Sequence, residues 1–427
     1  MRKFINHSHN IERDSYIWNM AGSMLSAFQS VIFLAILTRV VDLVTAGIFT
    51  IANANANLFL NVGRFGMRNF QVSDVKEEYS FKTYHKSRII TVLLMLLCSV
   101  FYVAIASFFS GYSFEKSMII LWMCIFKIPD AYEDVFFGEY QRKGRLDIAS
   151  KAMTLRMVLT IIGFSVLIIL THSVLISLMV STAFTILLMV YFLLITKENI
   201  DSTKKIIADN KTNTIRLLTS CLPIFLASFL AFYIGNAPKY AIDAQLNDEL
   251  QAIYGFISMP VFVIGLLNNF VFAPILFKIS RTWEEGKIDK FKKIILKQTL
   301  IIFAITILCI GGAYILGIPI LSVIYNTDLL DYKTELLLLL VGGGLLGLSG
   351  VYTAILTVMR KQYGIMWGYV VVALVAFVLS SPVVKKGGMM GAVVLYNMLM
   401  FLLCIIFIIL MHIFIKKKEV IQIRNNE

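Results

Sequence analysis

The 427-residue sequence predicts an all-α polytopic membrane protein with twelve transmembrane helices, and three observations predict it. Hydrophobic residues make up 58% of the chain and charged residues 15%, against about 45–50% and about 25% in a soluble fold. Apolar runs of the roughly 20 residues that a helix needs to cross a hydrocarbon core of about 30 Å can be placed twelve times. The net charge of +13, which in a soluble chain would suggest nucleic acid, is distributed as an asymmetry between loops, as membrane topology requires.

Taken in order, the elements begin with MRKFINHSHNIERDS, which is too polar for a signal-peptide core and has no small-residue cleavage site behind it. The first apolar run is therefore expected to stay in the mature protein. Span 1 (16 to 40) ends at Arg39, and span 2 (44 to 64) carries three asparagines at four-residue spacing. A basic segment leads to span 3 (88 to 110); span 4 (117 to 138) holds Lys127 and Pro129. Spans 5 and 6 (150 to 170 and 174 to 196) precede the most polar stretch of the chain, KENIDSTKKIIADNKTNT, at 197 to 214. That linker divides the spans six and six, predicting an N-terminal lobe over 1–200, a cytoplasmic linker over 201–214 and a C-terminal lobe over 215–427. Span 7 (215 to 240) contains Pro238, and span 8 (252 to 277) leads into a second basic linker at 278 to 296. Spans 9, 10, 11 and 12 follow at 296 to 316, 333 to 358, 363 to 384 and 389 to 415. The run VGGGLLGLSG (341 to 350) lies inside span 10 with no strand before it and no GKS/T after it, so it reads as close helix packing rather than a phosphate loop.

An even number of spans puts both termini on one side. With that side cytoplasmic, 32 of the 39 Lys and Arg face the cytoplasm, and only Arg39, Lys116, Lys239, Lys333, Lys385 and Lys386 face outward. Lys127 remains inside a span. The positive-inside rule thus predicts cytoplasmic termini. No soluble stretch is long enough for a catalytic domain. The five cysteines form no CxxC and have no paired His, His172 and His412 are isolated near span ends, and no Ser/His/Asp set or nucleotide-binding motif occurs. The expectation is a protein that is not an enzyme and holds no metal or cofactor.

Polar groups inside a bilayer are retained for a reason, because a central charge costs about 2.5–3.5 kcal/mol on insertion scales. Three clusters qualify. In span 2, Asn53, Asn57, Asn61, Arg64, Arg68 and Gln71 fall within an arc of about 80° at about 100° per residue, if the helix continues to Gln71. They read either as a stripe lining a water-filled cavity or as hydrogen-bonding glue between helices. In span 4, Lys127, Asp130 and Asp134 share one helical face, with Glu133 beside them; a cavity-facing ion path and a structural ion pair both fit. At the end of span 7, Asn236, Lys239 and Asp243 share a face, where a snorkelling lysine is an equal reading.

Three stretches carry a resemblance: RVVDLVTAGIFTIANANANLFLNVGRFGMRNFQVSD (39 to 74), VFFGEYQRKGRLDIASKAMTLR (135 to 156) and NAPKYAIDAQLNDELQAIYGFISMPVFVIGLLNNF (236 to 270). They are similar to the corresponding stretches of polysaccharide exporters of the multidrug/oligosaccharidyl-lipid/polysaccharide exporter superfamily, which includes flippases of O-antigen and capsule repeat units. The sister family of lipid II flippases usually has two spans beyond twelve, and the expected count of twelve argues against that branch. The resemblance implies two six-helix lobes around a central cavity in a bacterial cytoplasmic membrane. It also implies a cargo of undecaprenyl-pyrophosphate-linked oligosaccharide, membrane lipids as surroundings, a polysaccharide polymerase as a candidate partner, and no nucleic acid. On that reading Arg64, Arg68, Lys127 and then Arg39 or Lys239 supply cations for the pyrophosphate, and Asn53, Asn57 and Asn61 supply amides for the sugars. Asp130, Asp134 and Asp243 are candidates for ion coupling. A drug/cation antiporter of the same superfamily and a membrane-embedded polymerase are the competing readings.

Overall fold

The computed structural model describes residues 1–74, 78–196, 211–272 and 275–426, and among these every regular element is helical. The chain forms two compact units, Met1–Phe229 and Leu230–Glu427. Most of the linker expected at 201–214 lies outside the described residues.

The first unit contains α1 (Arg2–Asn6), α2 (Ile11–Val40), α3 (Leu43–Arg64), α4 (Met67–Ser73), α5 (Phe81–Phe109), α6 (Phe114–Phe126), α7 (Ile128–Tyr132), α8 (Asp134–Arg142), α9 (Leu146–Thr171), α10 (Val174–Thr196) and the first part of α11 (Lys211–Gln245). Several of its helices begin where a short polar side chain can accept from the orphan N–H groups of the first turn. Asn10, Asp42, Ser80 and Ser113 cap α2, α3, α5 and α6 in this way. α2 packs along α9, and α3 packs against α5 and α6. Burial is inverted relative to a soluble protein. Leu97, Phe101 and Phe108 on α5 point outward, while Arg88 near the start of that helix is fully buried. A lipid environment rewards this distribution, because outward apolar groups meet hydrocarbon and charges have to pair inside.

The second unit holds the rest of α11, then α12 (Asp248–Phe272), α13 (Leu276–Glu284), α14 (Ile288–Gly312), a π-helical turn at Ala313–Gly317, α15 (Ile318–Tyr325), α16 (Lys333–Val358) and α17 (Gln362–Asn426). α16 packs against α12, α14 and α17. Its glycines explain how it fits among all three. A Cβ at Gly342 would stand 2.5 Å from the Tyr396 ring, one at Gly343 3.1 Å from Val261 and one at Gly344 2.5 Å from Thr306. The sequence VGGGLLGLSG is a packing surface, and three neighbours use it.

Nine helices among the described residues are long and apolar enough to cross a membrane. One of them, Gln362–Val420, covers the two crossings expected as spans 11 and 12. The change between them falls at Gly388, whose φ of 56° and ψ of −137° interrupt α17. Expected span 8 falls on α12. Expected span 4 is not one continuous helix: Pro129 has no N–H to donate, the helical pattern breaks at Lys127, and α6, α7 and α8 follow one another as separate pieces.

Candidate functional site

The site is built on α3. Between Thr50 and Arg64 the half-buried residues are Asn53, Asn57, Asn61 and Arg64, and every other residue of that stretch is buried. Four-residue spacing at 3.6 residues per turn therefore gives α3 one accessible polar edge, about 16 Å long at 1.5 Å per residue. The asparagines are ordered by each other. Asn57 Nδ2 donates to the Asn53 backbone carbonyl (2.9 Å) and to Asn53 Oδ1 (3.0 Å), and Asn61 Nδ2 donates to the Asn57 carbonyl (2.9 Å). Asn55, on the opposite side of the helix, is buried with both amide atoms unpartnered among the described residues.

The stripe does not continue to Gln71 as one helix. Phe65 and Gly66 both adopt left-handed conformations, with φ of 51° and 62°, and α4 starts afresh at Met67. Side chains fix this break. The Phe65 ring stacks on Phe225 at 4.3 Å, and the carbonyl of Gly63 accepts from Arg88 Nη1 (2.5 Å) and Thr91 Oγ1 (2.8 Å). A guanidinium there also suits the negative end of the α3 dipole. Beyond the break, Arg68 donates through Nε and Nη2 to Gln141 Oε1 (3.2 and 3.0 Å), and Gln71 is buried against Glu139.

Lys127 and Asp130 meet one turn apart, whereas Asp134, beyond the break at Glu133, takes other partners. Two groups result. In the first, Lys127 Nζ donates to Gln29 Oε1 (2.8 Å) and pairs with Asp130 (3.4 Å). Arg156 of α9 then binds Asp130 (2.5 Å), Glu133 (2.9 Å) and Thr185 (3.1 Å). This quartet of two cations and two carboxylates is buried, and Lys127 is only 5% exposed. In the second group Asp134 pairs with Arg88 (2.7 Å) and, more loosely, with Arg68 (3.6 Å).

Arg64 differs from all of these. It lies within electrostatic reach of Lys127, Asp130, Arg68 and Arg88, yet it has no hydrogen-bond or ion-pair partner among the described residues. With Arg64 included, the two groups hold five cations against three carboxylates. Arg39 is exposed at the end of α2, where its Nη1 donates to the Ala35 carbonyl. Lys239 and Asp243 belong to the second unit, on α11, both half-buried; Asn236 donates back to Phe232 one turn earlier.

Sequence reasoning missed Arg88, Arg156 and Gln29. The two arginines had been counted among cytoplasmic positions because they stand at the beginnings of spans, and the structure buries both in helix interiors. Without them the loop bias is still 30 to 6. A signal existed for Arg156, which lies six residues inside the expected limits of span 5.

Comparison with known proteins supports the same architecture. The described fold is similar to the lipid II flippase MurJ in its inward closed conformation, with a TM-score of 0.68 at 14% identity over 93% of this chain and 86% of that one. It is similar to an inward-facing multidrug resistance MATE family transporter of the MOP superfamily, with a TM-score of 0.64 at 14% identity over 95% of each chain. A MOP superfamily transporter from Pyrococcus furiosus gives 0.56 at 14% identity over 98% of each. No curated protein sequence matches the chain. At these identities the structures establish a shared fold, that of multi-pass membrane transporters. Residues 13–280, well over half of the chain, match the family profile described as "Polysaccharide biosynthesis protein", and the chain belongs to that family.

Proposed function

We propose that the protein is a flippase, moving undecaprenyl-pyrophosphate-linked oligosaccharide repeat units from the inner to the outer leaflet by alternating access, for assembly of a surface polysaccharide such as O-antigen or capsule. The observation that carries this reading is Arg64, a guanidinium with no partner among the described residues, at the end of an accessible row of amides. A pyrophosphate diester carries two negative charges, and Arg64 together with the ion-pair groups around it has two more cations than carboxylates. Arginine binds phosphate oxygens in a bidentate fork, and asparagine amides bond sugar hydroxyls. The family's role in polysaccharide biosynthesis supports a glycan cargo, and the fold shared with a lipid II flippase supports a lipid-linked one. The distribution of basic residues supports cytoplasmic termini, in a bacterial cytoplasmic membrane.

The test is the leaflet in which the lipid-linked oligosaccharide collects in a deletion strain. Accumulation on the inner leaflet is expected. Single repeat units found already outside would point instead to a polymerase.

Water access to the stripe is tested separately. Single cysteines at 53, 57 and 61 are expected to react with a membrane-impermeant thiol reagent in permeabilised cells, and cysteines at 52 and 55 are expected to stay unreactive. Equal labelling at all five positions would remove the accessible edge from the argument.

A further inference from the structure

We infer that Asn57 selects the sugars of the cargo by charge: it requires a hydrogen-bond donor on the glycan and turns carboxylated sugars away. The inference rests on the flippase reading of the same site and goes on to name the class of sugar. Its basis is the use Asn57 makes of its own amide. Both hydrogens of Nδ2 are engaged, one on the backbone carbonyl of Asn53 at 2.9 Å and one on Asn53 Oδ1 at 3.0 Å. A backbone carbonyl oxygen can only accept, so the nitrogen has to be the atom turned toward the helix. What Asn57 shows along the accessible edge is Oδ1, an acceptor with no partner among the described residues.

The neighbours are not acceptor-only as Asn57 is. Asn61 also turns its nitrogen back, to the Asn57 carbonyl at 2.9 Å, and leaves Oδ1 outward with one spare hydrogen. Asn53 accepts from Asn57 and keeps its own amino group for a ligand. In the middle of the row, then, a hydroxyl or an amide N–H of the sugar finds an acceptor. A carboxylate at Asn57 sets its own oxygen against Oδ1 with no hydrogen between them, and Arg64, the nearest cation along the helix without a partner among the described residues, is two turns away and engaged by the pyrophosphate. Neutral and N-acylated or amino sugars meet this demand; uronic acids do not.

The experiment uses the full-length protein in lipid nanodiscs and three probes: polyprenyl pyrophosphate alone, the same lipid bearing a neutral N-acetylated disaccharide, and the same lipid with one uronic acid in the disaccharide. The neutral glycolipid is expected to bind about tenfold more tightly than the uronate, the scale of one satisfied against one unsatisfied hydrogen bond. Asn57→Leu is expected to weaken the neutral glycolipid about tenfold and to leave the bare carrier unchanged. Arg64→Ala is expected to weaken all three. Equal affinity for the two glycolipids, or an Asn57→Leu protein that binds the neutral one normally while the carrier still binds, would overturn the inference and leave the flippase reading intact. A bare carrier that does not bind, or that binds Arg64→Ala as well as the native protein, would overturn the flippase reading and this inference with it.

Discussion

Arg64→Ala is expected to abolish export of the surface polymer while the protein remains in the membrane at its normal level. The two halves of that result follow from one fact, the absence of a partner for Arg64 among the described residues. Removing an unpaired side chain orphans nothing, so the change in stability should fall within about 0.5 kcal/mol, the range of substitutions that disturb no contact. The cargo loses more. A unit charge pair at about 4 Å is worth about 4 kcal/mol at an effective dielectric of about 20, enough to reduce occupancy by a factor of several hundred. Arg64→Lys should recover part of the activity, because the charge survives while the bidentate fork is lost. Polymer on the cell surface, measured in a deletion strain complemented at matched expression, decides the matter. Normal export by Arg64→Ala would remove the anion site.

Arg156→Ala should do the reverse and lose the protein. Its guanidinium serves Asp130 and Glu133 together, so truncation leaves two buried carboxylates near one another with only Lys127 to balance them. Breaking a buried pair from one side costs about 3–5 kcal/mol, a large share of the roughly 5–15 kcal/mol that holds a typical domain folded. Detergent-solubilised material should show a lower unfolding temperature, and the amount in the membrane should fall. Combining Arg156→Leu with Glu133→Gln should restore much of the loss, since Lys127 and Asp130 then balance each other. Lys127→Ala should be milder than Arg156→Ala, because Asp130 keeps its bond to Arg156. An Arg156→Ala protein as abundant and heat-stable as the native one would show that the quartet does not hold the unit together.

These contrasts mark what was legible in the sequence. The α3 edge was readable because a four-residue repeat of asparagine in an apolar run has only one helical solution, and the structure places Asn53, Asn57, Asn61 and Arg64 together. Its end was not. Helical periodicity carries no term for a chain that turns left-handed at two residues, and the stacking of Phe65 on Phe225 joins positions 160 residues apart. The same limit explains Lys127. Its depth in an apolar run and its partner Asp130 were visible, but Gln29, which accepts from it, and Arg156, which shares Asp130 with it, were not, and only the packing of α2 and α9 beside this segment brings them together. Charge counting worked against Arg88 and Arg156, since a rule that assigns basic residues near span ends to water cannot see a carboxylate 46 or 26 positions away.

The left-handed pair at Phe65 and Gly66 separates two guanidinium groups that a continuous helix would hold at a constant interval. Arg64 ends the rod that carries the amides; Arg68 rides on the short helix beyond, tethered to Gln141 and only loosely to Asp134. Four backbone torsions at the joint therefore set the gap between the charges, like the screw of a caliper, without disturbing the row of asparagines. On the proposed flippase reading, grip on an anion and register on a sugar are then set by different parts of the chain, the first by the joint and the second by the straight helix before it.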